Sequence, residues 1–194
     1  SPNDYFYQRS VSLDTLPQEC PSFGYGDFRI PAITIEQNDG SRCVDLRYKS
    51  YEILSEKPQI TGMPSLRDDG NCDTLKITLK DELTSVEVDL YYNVYNDRDV
   101  ITRHMVIRNE GNEEVRVTKA MSCSFDLRDN NFNFLQLVGT HCEERHIETT
   151  PLRHGITKIE SRRTSSTHML NPFMALLRKD ATEDVGEVYG INLV

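Results

Sequence analysis

From Arg29 onward, apolar and polar residues alternate with a period of two. That spacing sends successive side chains to opposite faces of a pleated strand. No long window carries the 3.6-residue period of an amphipathic helix. About a dozen short runs at roughly ten-residue spacing, separated by polar turns, argue for an all-β sandwich or barrel. The expected architecture is two packed antiparallel sheets.

Individual runs carry the pattern. Ile33-Thr34-Ile35-Glu36 leads into Asn38-Asp39-Gly40, and alternation resumes at Cys43-Val44-Asp45-Leu46-Arg47-Tyr48. An Asp-Gly pair tolerates positive φ, so this stretch is expected to be a hairpin. Runs at 75–79, 86–91 and 100–107, parted by turns at Lys80-Asp81 and Asn96-Asp97, predict an antiparallel meander. A turn at 109–112 precedes a strand at 115–118, where β-branched residues suit a half-buried pleated surface. Further strands are expected at 122–127, 134–138, 156–161, 173–177 and 187–194. Residues 57–73 are rich in Pro, Gly and Asp and read as a long loop. Residues 1–21 read as an irregular arm whose Tyr5-Phe6-Tyr7 cluster is suited to docking, ahead of a single domain over residues 22–194.

Charge and cysteine usage narrow the partners. The chain has 194 residues, with 22 basic and 31 acidic side chains for a net charge of −9. No Lys/Arg tract is present to neutralise a phosphate backbone, which argues against nucleic acid as a partner. No apolar stretch is long enough to span a membrane. Cys20, Cys43, Cys72, Cys123 and Cys142 form no C-x-x-C pair, and an odd number cannot all pair within one chain. No Asn-x-Ser/Thr acceptor is present. These features lead to an expectation of reduced thiols and a cytoplasmic location.

The residues offer few catalytic constellations. Glu113-Glu114 and Glu143-Glu144 are the densest acidic pairs, but neighbours on a strand point to opposite faces and would not share a site. In His141-Cys142-Glu143-Glu144-Arg145-His146 every residue type but arginine is a competent metal ligand, yet two histidines at odd separation on a strand diverge, so no metal is expected. The motifs of P-loops, dinucleotide folds, zinc proteases and serine hydrolases are missing. No cofactor is implied.

Four motifs, in order, are more specific: Gly24-Tyr25-Gly26-Asp27-Phe28-Arg29-Ile30-Pro31-Ala32; Asp45-Leu46-Arg47-Tyr48; Ser161-Arg162-Arg163-Thr164-Ser165-Ser166-Thr167-His168-Met169-Leu170-Asn171-Pro172-Phe173; and Gly186-Glu187-Val188-Tyr189-Gly190. Together they resemble the N-terminal domain of bacterial-type α-galactosidases (melibiases) of glycoside hydrolase family 36, over roughly residues 22–194. The resemblance implies a large two-sheet antiparallel β-supersandwich of the galactose-mutarotase-like type. It also implies a retaining enzyme for terminal α-galactosyl residues, whose catalytic carboxylates lie on a C-terminal (β/α)8 barrel. An α-N-acetylgalactosaminidase parent is a near neighbour. The run 189–194 ends without a turn, so the chain is expected to be an excised fragment, inactive alone.

By the same resemblance, Asp27, Phe28 and Arg29 belong to a loop that reaches a neighbouring subunit's active-site mouth in a homo-oligomer. They are the candidate rim of a pocket for an α-galactoside oligosaccharide, with Asp27 accepting bonds from sugar hydroxyls. The alternative is an Asp27–Arg29 ion pair at a strand start with Phe28 in the core. Residues 161–173 are expected to brace the domain against the catalytic barrel, with the arginines in ion pairs and Asn171-Pro172 in a turn. Thr164 stands where the family prefers glycine, Thr167 where it prefers serine, and His141 where it has tryptophan. Two rivals remain: a free-standing carbohydrate-binding β-sandwich, disfavoured by the lack of tryptophan, and an epimerase, which would need a His/Glu pair such as His104 and Glu87.

Overall fold

The computed structural model describes residues 16–24, 26–67, 70–163, 165 and 167–193. Among them are ten strands and no helix, and every strand ladder is antiparallel. The fold class is therefore the all-β, antiparallel one expected. The chain divides into two compact units, Ser1–Asp126 and Leu127–Val194. The Tyr5-Phe6-Tyr7 cluster lies outside the described residues.

The first unit holds β1 (Ile33–Glu36), β2 (Arg47–Leu54), β3 (Cys72–Lys80), β4 (Val86–Tyr95), β5 (Val100–Asn109) and β6 (Arg116–Ala120). Strands β3-β4-β5 form the predicted meander, β2 adds to it at the β3 side, and β1 pairs with β6. Cross-strand register sorts the meander into two faces. On one face the rows Tyr48–Leu79–Val88–Ile107 and Tyr51–Ile77–Leu90–Met105 run across the sheet. Val86, Val88 and Leu90 are buried there with Ile33, Ile35 and Val44, and that cluster is the core of the unit.

The opposite face is polar, and its rows are joined by side-chain contacts. Thr74 donates to Asn93 Oδ1 at 2.8 Å, and Asn93 Nδ2 donates to Thr102 Oγ1 at 2.9 Å. Glu52 reaches Lys76 at 4.0 Å, Lys76 lies 6.0 Å from the Tyr91 ring centre, and Tyr91 stacks on His104 with centroids 4.5 Å apart. Arg108 bonds both Glu87 and the fully buried Asp89, which also accepts from Thr78 Oγ1 at 2.7 Å. Polar groups this deep are tolerable because each one is paired.

The hairpin expected around 33–48 does not form. Its turn does: Gln37 N donates to Ser41 O at 2.9 Å, and Gly40 has φ +82°. Beyond the turn, however, Val44 N donates to Phe23 O and Asp45 N to the Asp81 carboxylate, while Val44 O accepts from Ser22 Oγ. With these backbone groups engaged, β1 takes β6 as its partner and β2 starts only at Arg47.

The described end of the arm is fastened residue by residue. Glu19 accepts from Tyr92 OH and from Arg103 Nη2, both at 2.6 Å, Cys20 enters the core, and Pro21 O accepts from Ala32 N at 2.8 Å. The predicted strand at 122–127 is absent; there Ser124 O accepts from the Arg103 side chain, and the Asp126 carboxylate accepts from Arg29 Nη1 and Gln18 N. Among the described residues of the loop within 57–73, no strand precedes Cys72. The loop folds on itself through Lys57 Nζ to Leu66 O.

The second unit is one sheet in the order β10-β9-β7-β8, made of β7 (Phe132–Thr140), β8 (Glu143–Pro151), β9 (Leu170–Arg178) and β10 (Val188–Asn192). Its buried Phe132 lies 4.0 Å beneath the Arg178 guanidinium and edge-on to Tyr189. Arg178 is held by Asp129 at 2.6 Å and by Glu187 at 2.8 Å. The Gly186–Gly190 motif thus supplies packing: an ion-pair partner, an aromatic edge and, at Gly190, clearance for the Phe173 ring, 3.3 Å from where a β-carbon would stand. The run at 156–161 forms no strand, and its exposed Ile156 finds no face to bury.

Candidate functional site

The Asp27-Phe28-Arg29 segment is shaped by the two glycines before it. Gly24 and Gly26 have φ of +112° and +77°, a region costly for any residue with a β-carbon, and Asp27 N closes the turn onto Gly24 O at 3.3 Å. Gly24 has a second constraint, since a β-carbon there would meet Cys43 Sγ at 3.2 Å. Asp27 Oδ1 accepts from Arg29 N at 3.1 Å and from Arg29 Nε at 2.9 Å. Arg29 Nη1 reaches Asp126 Oδ2 at 2.8 Å, and Nη2 donates to Leu16 O. Burial disfavours the charged guanidinium, but Asp27 and Asp126 more than offset this and raise its pKa above the ordinary value.

The three residues are therefore divided in role. The Asp27 side chain is only 5 % exposed, and its Oδ2 has no hydrogen-bond partner. Phe28 is 85 % exposed. The ion pair of the bland alternative is present, but its core placement of Phe28 is not: the ring stands in solvent on a turn locked from below.

In the second unit two further motif segments converge. Strand β7 ends at Thr140, His141-Cys142 form the turn into β8, and Cys142 has φ +66°. Gly139 is pressed so closely that a β-carbon would lie 2.2 Å from Glu143 O and 3.0 Å from His168 O. His141 lies edge-on to His168 with centroids 6.2 Å apart. Beside them is a cleft of about 630 Å³ whose walls include Thr140, Glu160, Arg162, Arg163 and Met169. Arg162 approaches Glu160 at 3.6 Å with its side chain largely in solvent, and Arg163 Nη2 contacts Met169 Sδ at 3.4 Å. Asn171-Pro172 lies inside β9 and not in a turn, because Pro172 O accepts from Leu193 N. Thr164 lies outside the described residues.

Other sequence candidates separate. Glu144 Oε1 accepts from Cys142 N at 3.0 Å, and Glu113 Oε2 accepts from Asn38 Nδ2 at 3.0 Å. Among the described residues no three His, Cys, Asp or Glu side chains converge in a metal-binding arrangement. His104 and Glu87 share the polar face, but the His104 partner Tyr91 is four residues from Glu87, about 13 Å along the strand. The carboxylates that do share a neighbourhood, Glu87 and Asp89, were not singled out as a pair by the sequence. Bonds from Lys49 and Arg108 hold Glu87 below the usual carboxylate range, and at Asp89 the bonds from Arg108 and Thr78 outweigh burial and do the same. Neither is suited to keep the proton of a general acid.

Comparison with known proteins matches this assembly from end to end. The family model described as "Glycosyl hydrolase family 36 N-terminal domain" matches residues 2–194. The alpha-galactosidase AgaA of Geobacillus stearothermophilus is 41% identical over 100% of this chain and 27% of its own length. The bifunctional alpha-galactosidase/sucrose kinase AgaSK of Mediterraneibacter gnavus is 42% identical over 96% of this chain and 20% of its own. A crystal structure of a variant Geobacillus AgaA in complex with raffinose superposes with a TM-score of 0.89 at 42% identity, covering 93% of this chain and 25% of that one. The chain thus spans about a quarter of the length of the relatives it matches.

Proposed function

Because the chain belongs to glycosyl hydrolase family 36, as that family's N-terminal domain, we propose that it is the non-catalytic part of a longer retaining α-galactosidase acting on terminal α-galactosyl residues of oligosaccharides. The observation that carries this is the match over residues 2–194 to about a quarter of each relative's length. The chemistry agrees. The buried carboxylates Asp81, Glu87 and Asp89 are each committed to cations or to N–H and O–H donors within the fold, and Asp27 is committed to Arg29 through Oδ1.

In this reading Asp27, Phe28 and Arg29 form the substrate-pocket rim, contributed to a neighbouring subunit of a homo-oligomer. Phe28 is the contacting group, since a flat exposed ring is a platform for a sugar face. Asp27 and Arg29 are positioning residues. The cleft at Arg162 and Arg163 is the surface for the C-terminal catalytic barrel, where exposed guanidinium groups suit carboxylates of that partner. The scattered cysteines, an odd number with no C-x-x-C pair, fit a reducing cytoplasm.

The test uses a polypeptide carrying both this chain and the catalytic part. Phe28→Ala should raise KM for a raffinose-type oligosaccharide while leaving kcat on a small aryl α-galactoside unchanged. An unchanged KM for the oligosaccharide would remove Phe28 from the rim.

A further inference from the structure

Strand β2 is the edge of its sheet, and its apolar side is bare. Tyr48, Tyr51 and Ile53 are opposite Leu79, Ile77 and Leu75 of β3, on the face that buries Val88 and Leu90 further in. They end the rows of the core, yet are 62, 63 and 70 % exposed. They share a face despite their uneven spacing because the ladder shifts register between Tyr48 and Ser50, leaving Lys49 as the extra residue. Lys49 is turned to the polar face, where its Nζ bonds Glu87. Among the described residues no strand pairs with the outer edge of β2.

An exposed edge with an apolar face is a template for another strand, and natural proteins protect such edges when they are not used. The sequence of β2 is complementary to itself about Tyr51. An antiparallel pairing of two copies with Tyr51 opposite its mate sets Ser50 opposite Glu52. Allowing for the Lys49 bulge, it also sets Tyr48 opposite Ile53. Every side chain then meets one on its own face: Tyr48, Tyr51 and Ile53 form a continuous apolar band, and the Ser50 hydroxyl faces the Glu52 carboxylate on the polar side. Both copies use the same patch, as a two-fold interface requires.

We infer that β2 is a self-association edge, on which a second copy of this chain adds its own β2 antiparallel about Tyr51 to continue the sheet. This rests on the proposal that the protein is a homo-oligomer and gives that oligomer one of its surfaces. It is independent of the substrate rim.

The register supplies the test. In the 194-residue chain with Cys43, Cys123 and Cys142 replaced by serine, Tyr51→Cys should form a disulfide dimer under mild oxidation. Ile53→Cys alone should not, because the two copies of residue 53 would be about 13 Å or more apart along the strands. Mixing Tyr48→Cys with Ile53→Cys should give the mixed dimer. Without oxidant, sedimentation of the unmodified chain over a concentration series should show a monomer–dimer equilibrium. Tyr51→Lys should raise its dissociation constant by about tenfold or more, since it opposes like charges across the axis. Dimers insensitive to Tyr51→Lys, or cross-linking as readily through Ile53→Cys, would overturn the β2 edge while leaving oligomerisation intact. A chain that stays monomeric would overturn the β2 edge as well.

Discussion

Arg29 Nε donates to Asp27 Oδ1 at 2.9 Å, while Phe28 between them is 85 % exposed. The pair is therefore a clamp beneath a presented ring, and the residues of the motif have separable effects. Phe28→Ala should leave the thermal midpoint nearly unchanged. Arg29→Ala strips a buried carboxylate of its cation and should cost roughly 1–3 kcal/mol of stability, measured by denaturant unfolding. Equal destabilisation by the two substitutions would mean that the ring is packed and not presented.

Gly139→Ala should be among the most damaging small substitutions in the second unit. Its β-carbon would collide with the Glu143 carbonyl, a backbone atom that cannot rotate away. The expected loss is roughly 1–3 kcal/mol or more, with the β7–β8 hairpin losing amide protection first in hydrogen exchange. Gly40→Ala is the control: it has open space around it and bears only the cost of its positive φ.

Arg108→Met leaves Asp89, fully buried in the sheet, with only Thr78 and the more distant Lys76. A loss of roughly 1–3 kcal/mol is expected. Removing both charges, as Arg108→Met with Asp89→Leu, should restore most of it, because a buried ion pair roughly breaks even against packed apolar groups. A double variant as unstable as the sum of the singles would contradict this.

Acid should weaken the fold in two stages. Burial, with Lys57 nearby, lowers the pKa of His104, so the unfolded chain takes up that proton first, and stability falls as pH drops below about 6.5 toward the folded value. Asp89 and Glu87 are also lowered, so their contribution is present above about pH 4 and is lost as pH falls through their folded values. Denaturant midpoints across this range check both stages, and His104→Gln should remove the first.

Thiol labelling of the native chain should divide the cysteines. Cys43, Cys123 and Cys142 are exposed and should react quickly. Cys20 and Cys72 are buried, and burial pushes the Cys20 thiol up to about 11, so both should react only after unfolding.

Much of the fold was legible because most strands carry a buried face, and alternation marks it. Where that link failed, so did the reading. Strand β2 was displaced toward 43–48 because its bulge at Lys49 breaks the period of two. Strand β8 was missed because it is exposed along its whole length, with Ile147 its one aliphatic side chain apart from the terminal proline. The hairpin at 33–48 failed for a different reason, since the donors and acceptors that capture Val44 and Asp45 lie at Phe23, Ser22 and Asp81, far from any local pattern. At the candidate rim, the charges of Asp27 and Arg29 offered their pairing as the alternative reading. The exposure of Phe28 depends on the clamp through Asp126 and Leu16, which no local window contains.

The most direct measurement of the central claim is turnover of an aryl α-galactoside by the purified 194-residue chain, beside a polypeptide in which the chain continues into the catalytic part. The account predicts hydrolysis by the longer polypeptide and none by the chain alone. Hydrolysis by the isolated chain would contradict it and return attention to the carboxylates and histidines of these sheets.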